Sequence, residues 1–194
     1  MKTALKKVML STCLVLVSVS FFAQSNSTYT IDKVNSIIHW KGFKPLGSQA
    51  GTIKLLSGSI NIENNQITGG KFVADMTTLK DNNGSERLEN HLKSIDFFDT
   101  EKYPTSSFTI KNIRNSKDGT FLIGDLNIKN TIKEVAIPAT IVISSNTIKI
   151  STKTIKINRA EFNIKYKSKS FFDNLKDKFI EDDFDLQVDI VGTN

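Results

Sequence analysis

From Tyr29 to Val191, apolar side chains recur at every second position between short turns, and this two-residue period marks half-buried strands, not helices. Ile38, Trp40 and Gly42 share one parity, with His39 and Lys41 on the other. Ile60 and Ile62 run into Asn64-Asn65, a tight turn because asparagine tolerates positive φ, and the chain returns through Phe72, Ala74 and Met76. Leu122, Leu126 and Ile128 share a face with Gly124. Val135, Ile137, Ala139, Ile141 and Ile143 form another stripe, with Pro138 on the opposite parity marking an edge or a bulge. Ile148 and Ile150 are out of phase with Ile155 and Ile157, which places a bulge near Thr152. Phe184, Leu186, Val188 and Ile190 close the series. Long strands with short turns predict an all-β antiparallel barrel or sandwich.

One convincing helix interrupts this pattern, over about Ser85 to Ser94. Asn83 and Glu86 read as its capping box, and Leu88, Leu92 and Ile95 as its apolar stripe, with His91 on the same side. A second helical turn is expected near Phe172 to Lys178. After the helix comes Asp96-Phe97-Phe98-Asp99. Two phenylalanines flanked by acids suit a segment that folds back and sets its aromatics over an apolar cavity, which favours a binding protein over a catalyst.

The first two dozen residues read as a signal peptide: basic Lys2, Lys6 and Lys7, an apolar run from Val8 to Phe22, and small Ala23 at the expected cut. This divides the chain into 1–23, signal, and 24–194, one binding domain, placed in the periplasm or secreted. Cys13 lies inside the apolar run after Thr12, which argues against a lipid anchor. It is the only cysteine, so the mature domain is expected to use neither disulfides nor thiol chemistry. Removing Lys2, Lys6 and Lys7 takes 26 basic side chains to 23, against 20 acidic ones, a balance too mild to imply nucleic acid.

Catalytic and metal readings find little support. No Gly-x-Ser-x-Gly elbow or His-Glu-x-x-His motif is present. His91 beside Asp96 and Asp99 is the sole motive for an enzyme, and no enzyme activity is expected. His91 could contact a polar head group, or sit half-buried beside Leu88 and Leu92 and bond to a nearby loop. His39, its only histidine partner, should face outward, so no metal site is expected. Glu181-Asp182-Asp183 with Asp185 lacks calcium-loop spacing and reads as a solvated acidic turn. Lys165, Lys167 and Lys169 alternate as on a strand. There they would form a soluble edge or attract a lipid phosphate.

The chain resembles the YceI-like family of exported bacterial proteins. The likeness rests on Tyr29-Thr30-Ile31-Asp32, Asn35-Ser36-Ile37-Ile38 before Trp40, and His91-Leu92-Lys93-Ser94 with Asp96-Phe97-Phe98-Asp99 and Lys102-Tyr103-Pro104. Gly124-Asp125-Leu126-Asn127-Ile128 and Ile157-Asn158-Arg159-Ala160-Glu161-Phe162 continue it. Asn35 and Lys44 stand where the family often has histidine, and Asn163 where it has glycine. The resemblance implies a lipocalin-like antiparallel β-barrel of about eight strands with one short helix in a long connection. It implies a polyisoprenoid or similar amphiphile, such as an isoprenoid quinone, held inside for sequestration, transport or stress protection, and no cofactor.

A barrel of that size leaves room for one slender guest. Burying a few hundred Å² of tail would gain roughly 5–10 kcal/mol before association costs. The expected lining is Ile38, Trp40, Phe72, Ala74, Met76, Leu122 and Leu126 by parity. Phe97 and Phe98 are added by the family motif, with His91 and Arg159 as candidate head-group contacts. Expected partners are the lipid, a transient membrane-surface contact and a second copy as homodimer. The rival expectation is a β-sandwich interaction or stress module with a filled core.

Overall fold

The computed structural model describes residues 26–194, so the signal segment and Cys13 lie outside the described residues. Ten strands form one antiparallel sheet that closes on itself. They are β1 (Asn26–Ile31), β2 (Ile37–Lys44), β3 (Gly47–Glu63), β4 (Gln66–Asp81), β5 (Thr105–Ser116), β6 (Gly119–Ile128), β7 (Thr131–Ile143), β8 (Thr147–Thr152), β9 (Ile155–Asn158) and β10 (Asp183–Thr193). Helix α1 (Glu86–Lys93) lies between β4 and β5.

Neighbours in sequence pair in order from β2 through β8, and β10 joins the ends. On one side Gln187 faces His39 of β2; on the other Ile190 faces Ile150 of β8. β1 continues the line of β2, pairing with the far half of β3, and β9 continues β8 along β10. Ten strands therefore make a barrel wall about eight strands around.

Turn chemistry sets the register. Asn64 and Asn65 both take positive φ, at 50° and 63°, in a two-residue hairpin, and Lys129-Asn130 repeat the arrangement between β6 and β7. Pro138 marks an edge, as expected, because up to it β7 has a ladder partner only on the β6 side. It sits where the partner of β7 changes, since pairing with β6 runs to Ala139 and pairing with β8 begins there. The phase change after Ile150 is a break between β8 and β9, and the Thr152 hydroxyl accepts the Val188 N–H at 2.9 Å in place of a ladder carbonyl.

Curvature needs positions without a side chain. A Cβ on Gly124 would stand 2.2 Å from the Thr109 carbonyl oxygen and within 2.9 Å of the Phe108 ring, which lies across the glycine. Gly124→Ala should therefore cost at least about 2 kcal/mol through backbone displacement. A urea denaturation midpoint equal to the wild type would contradict this packing.

The helix begins two residues after where the box pattern put it. Ser85, not Asn83, is the N-cap, and its Oγ accepts from Leu88 N at 3.3 Å. Asp81 Oδ2 accepts from the Asn83 and Ser85 N–H groups, so the turn from β4 is held by the aspartate. Buried Glu89 ties the helix to the strand end, accepting from Lys80 Nζ at 2.8 Å and Asp81 N at 3.1 Å. The Lys80 hydrogen bond, then that from Asp81, holds the Glu89 carboxyl below its ordinary range. Ile95 does not join the apolar stripe and is 78% exposed. Ser94 turns extended at ψ 173°, its N–H and Oγ both donating to His91 O, and ends the helix before Ile95.

Candidate functional site

The barrel encloses a cavity of about 550 Å³, so the interior is not a filled sandwich core. Its body is apolar because each strand turns alternate residues inward. Phe72, Ala74 and Met76 come from β4, Leu122 and Leu126 from β6, Ile150 from β8, and Leu186, Val188 and Ile190 from β10. Charged lining residues belong only to the end where β2, β4 and β9 finish. These are Lys44, Arg87, Arg159, Lys167, Asp177, Lys178 and Glu181. The tube is therefore greasy in its depth and polar at one mouth.

Every residue expected to line the cavity or contact the head group faces this space: Ile38, Trp40, Phe72, Ala74, Met76, Phe97, Phe98, Leu122, Leu126, His91 and Arg159. Trp40 is both liner and packing element. Its indole lies over Gly51, its Nε1 donates to Lys80 O at 3.2 Å, and it packs against Ile53, Ala74, Met76 and Leu79. Phe97 is buried at 5% exposure. The segment folds back because Phe97 N and Phe98 N donate to Ser94 O and Leu92 O, and Lys129 Nζ holds Phe97 O at 2.7 Å. Ile53, Leu55, Leu79, Phe108 and Tyr166 also line the cavity or its wall and were not anticipated. The parity of β3 is scrambled by register shifts at Thr52/Lys54 and Leu55/Ser57, and Tyr166 lies in a loop without period.

His91 sits at the mouth in an aromatic cluster, edge-on to Phe97 at 5.1 Å and to Tyr166 at 4.7 Å between ring centroids. Its Nε2 lies 3.2 Å from Asp96 Oδ2, the loop bond anticipated for a half-buried helix histidine. His39 faces outward, on the opposite parity from Trp40. No group of three or more metal-binding side chains occurs among the described residues.

Arg159 is the organising residue of the loop between β9 and β10. It opens a 3₁₀ turn, Arg159–Phe162, capped by Asn158. Its Nε donates to Glu181 O, Nη1 to Ile164 O and Tyr166 O, and Nη2 to Ile180 O, all within 3.0 Å. Asp182 Oδ1 lies 3.3 Å from Nη2. With every donor nitrogen engaged, the guanidinium offers a guest its charge and its face, 5.9 Å from the Phe97 ring, and little free hydrogen bonding. Burial draws it below the ordinary arginine value, partly offset by Asp182.

Three expectations for this loop are corrected. Asp182 is no solvated carboxylate, because it is folded inward onto Arg159 and takes the Ser170 hydroxyl at 2.6 Å. Lys165, Lys167 and Lys169 are not on a strand but in a turn-rich loop, where Lys165 lies over the Phe171 ring and Lys169 over that of Phe179. Only Lys176–Lys178 forms the second helical turn, and Phe172 is exposed before it.

Burial pushes the Asp182 carboxyl up, but hydrogen bonds from Ser168 and Ser170 and the Arg159 charge outweigh it, leaving the group below its usual value. Its contribution is therefore complete above the unfolded value of about 3.9 and is lost as pH falls through the lower folded value. Amide exchange across residues 164–182, corrected for intrinsic rates, should hold steady from about pH 7 to pH 5 and rise below about pH 4. Asp182→Asn should exchange faster throughout and lack that acid step.

Comparison with known proteins agrees with this architecture. The model of the YceI-like domain matches residues 29–192. Protein YceI of Escherichia coli O17:K52:H18 is 32% identical over 121 residues, 59% of this chain and 61% of that protein, so the chain spans under two thirds of that relative's length. Among solved structures, BcnA of Burkholderia cenocepacia superposes with a TM-score of 0.69 at 18% identity, covering 84% of this chain and 99% of that one. A polyisoprenoid binding domain from Saccharophagus degradans, implicated in plant cell wall breakdown, gives 0.61 at 12% identity, covering 85% and 97%. With the closed barrel, its mouth and the match along nearly all the described chain in hand, the protein belongs to the YceI-like domain family.

Proposed function

We propose that this protein is an exported, non-enzymatic binder that holds a polyisoprenoid or similar amphiphilic lipid, such as an isoprenoid quinone, inside the barrel. The observation that carries the reading is the cavity: about 550 Å³, apolar along its body and charged only at one end. That polarity matches a molecule with a long hydrocarbon tail and one polar head. The volume lies within the range of small-molecule sites. The Saccharophagus degradans neighbour, a polyisoprenoid binding domain, supports the same class of guest. In this reading Ile38, Trp40, Phe72, Ala74, Met76, Leu122 and Leu126 grip the tail, while Phe97 and Phe98 cover it below His91. Arg159 acts by fixing the loop around the head group.

Native mass spectrometry of protein purified from cells, before and after solvent extraction, tests this. A bound mass that extraction removes and that proves to be an isoprenoid lipid is expected. Protein that is empty in every preparation, with no affinity for added isoprenoid quinones or polyprenyl lipids, would overturn it.

A further inference from the structure

The mouth of the barrel bears features its interior does not require. Leu46, at the tip of the β2–β3 hairpin, is 93% exposed, and Phe171 and Phe172 in the β9–β10 loop are 42% and 50% exposed. These two segments share one end of the barrel. Lys44 beside the hairpin tip and Lys167 and Lys178 of the loop line the same cavity, and Glu181 N donates to Phe43 O at 3.0 Å. Solvent-facing phenylalanine and leucine at the opening of an apolar tube form an unpartnered greasy rim.

The charge around that rim is mixed, with an excess of cations. Between Lys165 and Lys178 the loop carries five lysines against Asp173 and Asp177, and Lys44 stands beside Leu46. Lys165 lies over the Phe171 ring at 4.8 Å, so cation and aromatic are presented together. Apolar tips that can enter an acyl layer, flanked by lysines that reach anionic head groups, are the pairing found in interfacial anchors. The opening they surround is also where a lipid guest must enter and leave.

We infer that the mouth docks on an anionic lipid bilayer, with Leu46, Phe171 and Phe172 inserted and the loop lysines on the head groups. This rests on the lipid-binding reading for its motive, because the guest dissolves in a bilayer and not in water.

Flotation of the mature protein with phosphatidylcholine vesicles, with and without phosphatidylglycerol, tests the docking. The wild type should float with the anionic vesicles only, and raising salt from about 50 to about 500 mM should release it by shortening the screening length. Combined Leu46→Asp, Phe171→Ser and Phe172→Ser should weaken binding at least about tenfold, as loss of apolar insertion requires. Because those changes could disturb the loop, a second variant, Lys165→Gln with Lys176→Gln, should bind less and lose part of the salt dependence. Failure to bind anionic vesicles, binding indifferent to phosphatidylglycerol and salt, or burial of the same residues in a solution dimer would each overturn the inference. Guest content separates the two readings. The Leu46/Phe171/Phe172 variant should keep its lipid mass while losing flotation, and a wild-type barrel found empty yet floating would sink the lipid-binding reading instead.

Discussion

Ala74→Trp should empty the barrel without unfolding it. Ala74 faces the cavity from β4 beside Met76, and its methyl group is the smallest side chain on that part of the lining. Ala74 also packs beneath Trp40, but the cavity beside it gives an indole room to extend into, so the overpacking penalty is smaller than in a filled core. For the guest the effect is large. A tail that forfeits about 150 Å² of apolar contact loses about 4 kcal/mol, several hundredfold in affinity. Lipid mass should vanish from native spectra while the thermal midpoint stays within a few degrees of the wild type. Undiminished guest binding in the variant would mean that the lipid does not occupy the volume beside β4.

Arg159→Met should have the opposite character, a large stability loss with the barrel wall intact. The methionine roughly conserves length but leaves the carbonyls of Ile164, Tyr166, Ile180 and Glu181 without their donor, and Asp182 without its counter-charge. Removing one partner of a buried ionic group typically costs about 3–5 kcal/mol, because the remaining polar atoms are stranded. Urea unfolding should report that loss. Amide exchange should place it first in residues 164–182, with the β4–β7 ladder still protected. A loss below about 1 kcal/mol would show that water takes over the arginine's bonds.

The two variants also mark the boundary between what was legible in the chain and what was not. Ala74 was found from parity, because on a strand the direction of a side chain follows from counting, and the same count placed Ile38, Phe72, Leu122 and Leu126. Phe97 and Phe98 owed their placement to the family motif together with the physical awkwardness of paired phenylalanines in water. The network of Arg159 left no such trace. Its partners are backbone carbonyls up to 22 residues away, and a carbonyl carries no side-chain identity to read. The adjacent loop has no period, so Lys165, Lys167 and Lys169 looked like a strand face, and Asp182 like one more solvated acid. On β3 the count itself failed, because register shifts move Ile53 and Leu55 onto the opposite parity from Ile60 and Ile62. Ile95 failed for a local reason: Ser94 ended the helix one residue too soon.

The order of the strands has a consequence for biogenesis. β10 is the last stave to leave the ribosome and the only one bonded to both ends of the curved sheet, β2 on one flank and β8 on the other. Until it arrives, a nascent molecule is an open gutter with two raw margins and an oily lining turned toward water. Such a half-built form is an invitation to aggregation and a natural client for chaperones that shield exposed apolar surface. Closure is thus a long-range event, joining residues some 150 positions apart, and it makes this barrel slow to mature compared with a fold of local contacts.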